Sequence, residues 1–392
     1  MLINLRDALM TGKRLPYDAE VEYLESTGTQ YVNTGVLIDT STDTVEIAFM
    51  PHTETSGYQA YYGTDETGNG QFSLRKNTNG NNIQVLKNTA VSAGITADEK
   101  WHTVKVTPNK AIVDGVDIAL TQSDAQYTKS LMLFARITTA DTITAYAKCR
   151  IASFKIYRNG TLVRDLIPVR KGTVGYLYDR VSGKLFGNAG TGDFVVGPDV
   201  VPVEYIESHG TEYIDTGVVP SGQTKWELDV MFPNVNGFRP MGTIATNPPR
   251  RFVIARELVS TIYSISFGSY DNTQKGIDSG IRRLCVIDAP NFTWSIGARS
   301  GTFTEGTFDI SGIQSICLFV RKRNSGYDYL NDGSRVYRST LYTSGSRIQD
   351  LRSVRVGTEG AMMDVLTRRI YRNAGTGAFD YGNDLKYPIP AE

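Results

Sequence analysis

The stretch Val21–Val36 reads VEYLESTGTQYVNTGV, and Val203–Val218 reads VEYIESHGTEYIDTGV. Eleven of the sixteen aligned positions are identical, 182 residues apart. Outward from there, Pro51 answers Pro233, Pro108-Asn109 answers Pro290-Asn291, and Gly115 answers Gly297 at the same spacing. SLMLFAR at Ser130–Arg136 then answers SICLFVR at Ser315–Arg321, and NAGTG at Asn188–Gly192 answers NAGTG at Asn373–Gly377, both 185 residues apart. Three residues are therefore inserted between Gly297 and Ser315. A period this long is no solenoid repeat, and each copy must bury a core of its own. The expected organisation is a segment at 1–20, a first domain at 21–199 and a second at 200–392.

Within each copy the pattern is that of strands. Runs such as Thr44–Met50, Trp101–Thr107 and Leu131–Arg136 are rich in Val, Ile, Phe, Tyr and Thr and are bounded by Gly, Asn, Asp and Pro. Asp114-Gly115 between extended runs predicts a two-residue hairpin, because both central residues of a type I′ turn need positive φ. Ile296-Gly297 stands there in the second copy, so that turn must differ. Tyr176–Asp179 and Lys184–Gly187 predict a further hairpin around Ser182-Gly183. About a dozen short strands per copy, with frequent turn signals, predict an all-β chain of two antiparallel jelly-roll sandwiches. In the leader, Leu2, Leu5 and Leu9 fall at helical spacing before Gly12. An amphipathic segment this short needs a partner surface, and an assembly or anchor role for 1–20 is the sharper of its two readings; packing on its own first domain is the other.

Composition narrows the function. The 392 residues carry 41 Lys+Arg against 41 Asp+Glu, which argues against a nucleic-acid partner. No apolar run reaches the length of a membrane span, so no membrane insertion is expected. Cys149, Cys285 and Cys317 lie singly in apolar or β-branched runs and read as buried hydrophobes of a protein made in a reducing compartment. With His52, His102 and His209 scattered singly, no metal and no cofactor are expected.

The hairpin WHTVKV…IVDGVDI at Trp101–Ile118 is similar to that of laminin G-like, concanavalin A-like jelly-roll domains. The openings YLESTGTQYVNTG and YIESHGTEYIDTG, with DLIPVRKGTVGYLYDRVSGKLFGNAGTGDF at Asp165–Phe194, resemble the version found in bacteriophage and prophage proteins of gut bacteria. That resemblance covers nearly the whole chain after Glu20. It implies a virion protein made in the host cytoplasm, a fibre, tail or head appendage that displays jelly rolls for adhesion to a cell-surface polysaccharide. Other virion proteins docking through 1–20 and a homo-oligomeric assembly are the implied partners. A decoration protein without ligand is one alternative, and a glycoside hydrolase is the other. Some domains of this type hold Ca²⁺ on loop carboxylates, but Asp65, Glu66, Asp328 and Asp332 lack a diagnostic spacing.

Sugar rings call for exposed aromatic faces flanked by amide, carboxylate or guanidinium groups. The first copy offers Tyr58, Tyr61, Tyr62 and Arg75; the second offers Phe238, Arg239, Arg250 and Arg251. Tyr61 and Tyr62 are adjacent on an extended segment, so one of them should face away from the core. Catalysis is not expected. Glu227 and Asp229 share a strand face, but a retaining glycosidase needs a second catalytic carboxyl about 5 Å away, and Val230, Met231 and Phe232 follow instead. The aligned first-copy positions, Val45 and Ile47, carry no acid.

Overall fold

The computed structural model describes residues 15–53, 57–78, 80–121, 123–235, 237–246, 249–258, 262–269, 273–303, 310, 312–328 and 331–385. Most of the leader, residues 1–14, lies outside them, and with it the docking segment inferred from the sequence. Among the described residues the regular structure is all strand, and no helix is long and apolar enough to cross a membrane. Two compact units divide between Asp199 and Val200, with Thr367–Arg369 grouped with the first.

Each unit is a pair of largely antiparallel sheets facing one another. In the first, an eleven-stranded sheet runs Val116–Ala119, Lys110–Val113, His102–Val106, Asp43–Pro51, Lys148–Arg158, Thr161–Lys171, Val174–Asp179 and Lys184–Phe186, with three short strands at its flanks. A seven-stranded sheet built on Val32–Asp39, Gln126–Leu133, Gln59–Glu66, Gly70–Lys76 and Asn82–Thr96 closes over it. The second unit repeats this with eleven and eight strands. Alternation explains the packing: Val45, Ile47 and Phe49 point inward and are buried, as are Trp226, Leu228 and Val230 on the matching strand. The inner faces meet in aromatic pairs, Phe49 with Tyr61 at 4.7 Å and Trp226 with Phe252 at 6.1 Å. All three cysteines are buried and unpaired, and burial raises their thiols above the ordinary range. The chain is thus two tandem jelly-roll sandwiches.

The repeated motifs turn out to be fasteners. Asn188 Oδ1 accepts from the amides of Tyr31 and Gly190, Ala189 N–H donates to the Tyr31 carbonyl, and Thr29 Oγ1 donates to the Thr191 carbonyl. In the second copy Asn373, Ala374, Thr376, Thr211 and Tyr213 make the same set of bonds. A Cβ on Gly190 would lie 2.1 Å from the Thr29 carbonyl oxygen, and one on Gly375 2.0 Å from that of Thr211, so only glycine admits this approach. The tyrosine and second glutamate of each opening clamp an arginine. Arg150 donates to Glu25 at 2.6 Å and lies 4.5 Å from the Tyr23 ring centre; Arg335 repeats this with Glu207 and Tyr205 at 2.6 and 4.3 Å.

Strand pairing corrects two of the sequence alignments. Glu46 pairs with Lys155, and Glu227 with Thr340, the residue 185 on from Lys155. Glu46 therefore answers Glu227, and Ala48 answers Asp229, one register away from the Val45 and Ile47 alignment. Inward-facing hydrophobics set this register, since a one-residue slip would turn every side chain over. The hairpin shifts likewise. Asp114-Gly115 has φ of 48° and 84°, as a type I′ turn requires, while Gly297 follows Ile296 and so occupies the place of Asp114 rather than of Gly115.

Candidate functional site

Phe134 and Phe319, at matching positions in the two copies, hold φ of 63° and 66° and are almost fully buried. A bulky residue with positive φ is strained, and its recurrence marks a designed kink. After the kink the chain reverses: Gln126–Leu133 runs antiparallel to Gln59–Glu66, whereas Arg136–Thr138 runs parallel to it. Arg136 is thereby laid across the outer face of the seven-stranded sheet, over Gly63, where a Cβ would stand 3.1 Å from its Cγ.

Around Arg136 a polar network covers this face. Arg136 pairs with Asp65 at 3.0 Å and stands 5.0 Å from the centre of the Tyr58 ring. Arg75 lies 4.8 Å from the same ring, donates to the Tyr58 hydroxyl and to Gln71 at 3.0 Å each, and to Gln84 at 3.1 Å. Tyr58 and Arg75, both expected at a site, are thus brought together, but with each other: two guanidiniums contact the ring that a sugar would need.

Tyr61 and Tyr62 are corrected. Both are fully buried, Tyr61 against Phe49 and Tyr62 against Phe72 and Phe154. A register shift between Ala60 and Tyr62 breaks the alternation, as a bulge does, and burial pushes both hydroxyls far above the ordinary tyrosine range.

The edge next to Arg136 carries the candidate site. Thr144 is the ladder partner of Arg136, and Ala60 N–H donates to the Ala145 carbonyl. Tyr146 follows, with its ring 6.2 Å from that of Tyr31 in an edge-to-face arrangement at 65°. Together they wall a cavity of about 370 Å³ whose other lining is Gly28, Thr29, Ala189, Gly190 and Thr191. Half-buried aromatic rings, threonine hydroxyls and a turn rigidified by the Asn188 fastener offer an apolar face beside hydrogen-bonding groups. Lys148 lies at the rim, its Cγ 3.4 Å from where a Gly28 Cβ would be. No candidate residue named from the sequence lines this cavity; Tyr31 sits inside the repeated opening motif, and Tyr146 carried no signal of its own.

Among the described residues the second copy lacks this arrangement. Tyr213, the counterpart of Tyr31, packs on Tyr327 at 4.7 Å and is buried, its hydroxyl pushed up to about 12 by burial and by Tyr327. Phe238 takes the place of Tyr58 and Arg321 that of Arg136, with the guanidinium 5.0 Å from the ring. Burial lowers the Arg321 pKa, against the opposing pull of its ion-pair partner Asp328. Arg239 is also corrected: it is buried and donates to the carbonyls of Asp332, Val235 and Gly237, so it serves the fold. Arg250 and Arg251 are half-buried on the strand Pro249–Arg256. Asp65, Glu66 and Asp328 are engaged by Arg136, by the Thr128 and Lys129 amides, and by Arg321 and Arg323. Among the described residues no three His, Cys, Asp or Glu side chains gather as metal ligands do.

No family model and no curated protein matches the chain. Solved structures similar to it include the mouse laminin α1 chain, domains LG4-5, at 14% identity and a TM-score of 0.30, covering 86% of this chain and 93% of that one. A second is titled "NanB plus Optactamide", at 9% identity and a TM-score of 0.21, covering 94% and 75%. The expectation that this chain is not an enzyme is withdrawn. One argument for that expectation also falls to geometry. Glu46 does stand in the first copy where Glu227 stands in the second, each with a tyrosine hydroxyl beside it, Tyr157 at 3.5 Å and Tyr342 at 3.3 Å, and a lysine at 2.8 and 2.7 Å. At these similarities the likeness assigns no activity in place of the discarded one.

Proposed function

We propose that the chain is a phage or prophage virion protein, part of a fibre, tail or head appendage, whose first sandwich adheres to host-surface glycan and whose second serves as scaffold. The carrying observation is the cavity walled by Tyr31 and Tyr146 in the first copy, set against the second, where Tyr213, the counterpart of Tyr31, packs on Tyr327. Two aromatic walls suit the apolar face of a pyranose, while Thr29 and Thr191 suit its hydroxyls. The phage setting is supported by the likeness of the opening and closing motifs, and assembly is assigned to residues 1–20. A cavity this shallow binds weakly, and multivalent display on a homo-oligomeric appendage raises the effective concentration.

The test is a glycan array probed with the assembled protein, followed by titration of any hit. Tyr31→Ala or Tyr146→Ala is expected to weaken binding about tenfold, since stacking on an aromatic ring is worth roughly 1–2 kcal/mol. A blank array, or hits unaffected by both changes, would defeat the adhesion reading and leave a decoration protein.

A further inference from the structure

At the end of the strand Pro249–Arg256, the inward-facing Phe252 and Ile254 are followed at the same alternation by a charge, Arg256. Its side chain is fully buried. One terminal nitrogen donates to the carbonyls of Gly237 and Glu257 at 2.6 and 2.9 Å, while Nε and the other terminal nitrogen, both buried, meet no acceptor. Arg256 thus touches Glu257 through its carbonyl and not its carboxylate. Burial and then the like charge of its ladder partner Arg239 lower the Arg256 pKa, and no acid opposes them. The acids of this end act elsewhere: Asp332 on Arg239, and Asp328 on Arg321 and Arg323. Tyr263, the ladder partner on the other side, has its hydroxyl bonded to the Phe232 amide and the Ile281 carbonyl.

The first copy places a different cation here. Gly63 pairs with Met132 and Gly242 with Cys317, the residue 185 on, so Leu74 answers Ile254 and Lys76 answers Arg256. Lys76 is also fully buried and donates to the Gly57 carbonyl at 3.1 Å, as Arg256 does to that of Gly237. A buried lysine can shed its charge by losing a proton, whereas a guanidinium stays charged at neutral pH. Taking that charge out of water is costly unless an opposite charge accompanies it. A water molecule would meet the two orphaned donors but not the charge.

From this we infer that the second sandwich holds a halide-sized inorganic anion against Nε and the free terminal nitrogen of Arg256. Full burial of Arg256 limits the ligand to a small ion. The turn over it is drawn in tightly, since a Cβ on Gly237, at φ of 130°, would lie 2.9 Å from an Arg239 terminal nitrogen. That turn also carries Val235, 52% exposed, so the site lies close under the surface. It is independent of the Tyr31–Tyr146 cavity and stands or falls apart from the adhesion reading.

The experiment is thermal unfolding of the full chain in a sodium chloride series, with sodium gluconate holding ionic strength constant. The transition of the second sandwich should rise about 4 °C at tenfold excess of chloride over Kd. Crystals soaked in sodium bromide should show an anomalous peak within contact distance of Arg256. Arg256→Met should abolish both signals. Should that variant lose its near-ultraviolet dichroism, Arg256→Lys carries the comparison, because lysine is accommodated at this place in the first copy, with an expected loss of at least about tenfold in chloride affinity. Equal melting in chloride and gluconate, a chloride effect retained by both variants, or bromide found only at other places as an adventitious ion overturns the inference.

Discussion

Two copies of one sandwich share their fasteners and differ in what their surfaces can hold. The Asn-Ala-Gly-Thr-Gly turn is bonded in the same way in both, whereas Tyr31 stands half-open beside Tyr146 and Tyr213 is buried under Tyr327. Trp101, beside Tyr23 and just before the strand His102–Val106, is replaced by Arg282, just before Arg283–Asp288, which stacks on Tyr337 at 3.9 Å and pairs with Asp229. Duplication kept the bonds that close the fold and freed the outer faces to diverge. Identity between the copies therefore marks structure, and difference marks candidate function.

The shared half of this comparison breaks most visibly. Gly190→Ala and Gly375→Ala each drive a Cβ into a carbonyl oxygen, and each is expected to cost upward of about 3 kcal/mol in chemical denaturation of its own sandwich. A loss under 1 kcal/mol at either glycine would show that the fasteners are adjustable. Next comes the tyrosine pair. Tyr31→Ala should leave stability nearly unchanged while weakening glycan binding. Tyr213→Ala should cost about 3 kcal/mol by vacating a buried site and leave binding alone, and a reversal would exchange the roles of the two copies.

A histidine-linked pH effect should be confined to the first copy. His102 is buried, which by itself lowers its pKa, but Asp114 at 2.7 Å and Asp98 at 3.0 Å outweigh this and raise it, while holding their own carboxyls below the ordinary range. A raised histidine contributes stability that is complete below its unfolded value and is lost as pH rises through the folded one. The depressed aspartates contribute above their unfolded values and lose it on acidification. Thermal melts should therefore show the first sandwich weakening from mildly acid to alkaline pH, with that slope abolished by His102→Gln. The second copy has Arg283 at this place and should show no such slope; a parallel slope in both would discount the histidine. Smallest of all, Lys110→Ala removes an exposed pair with Asp117 and should change stability by less than about 0.5 kcal/mol.

Much of the architecture was readable from spacing. The repeat, the Asp114-Gly115 hairpin and the strand character of runs such as Thr44–Met50 all follow from local rules, because turn chemistry and alternation act over a few residues. Tyr61 and Tyr62 show where local rules stop: a bulge at Ala60–Tyr62 placed both in the core, and no pattern in YQAYY announces it. The one-residue slip that hid Glu46 behind Val45 has the same origin, since ladder register is decided by the opposite strand.

The sequence by itself determined an all-β chain, its duplication and the positions of its turns, for these depend on near neighbours. Tertiary structure alone decided that Tyr31 meets Tyr146, 115 positions further along the chain, that Arg239 is turned onto carbonyls, and that Arg338, Arg347 and Arg352 share one carboxylate. Contacts between residues far apart along the chain exist only once the sheets have closed, and the candidate sites are made of such contacts.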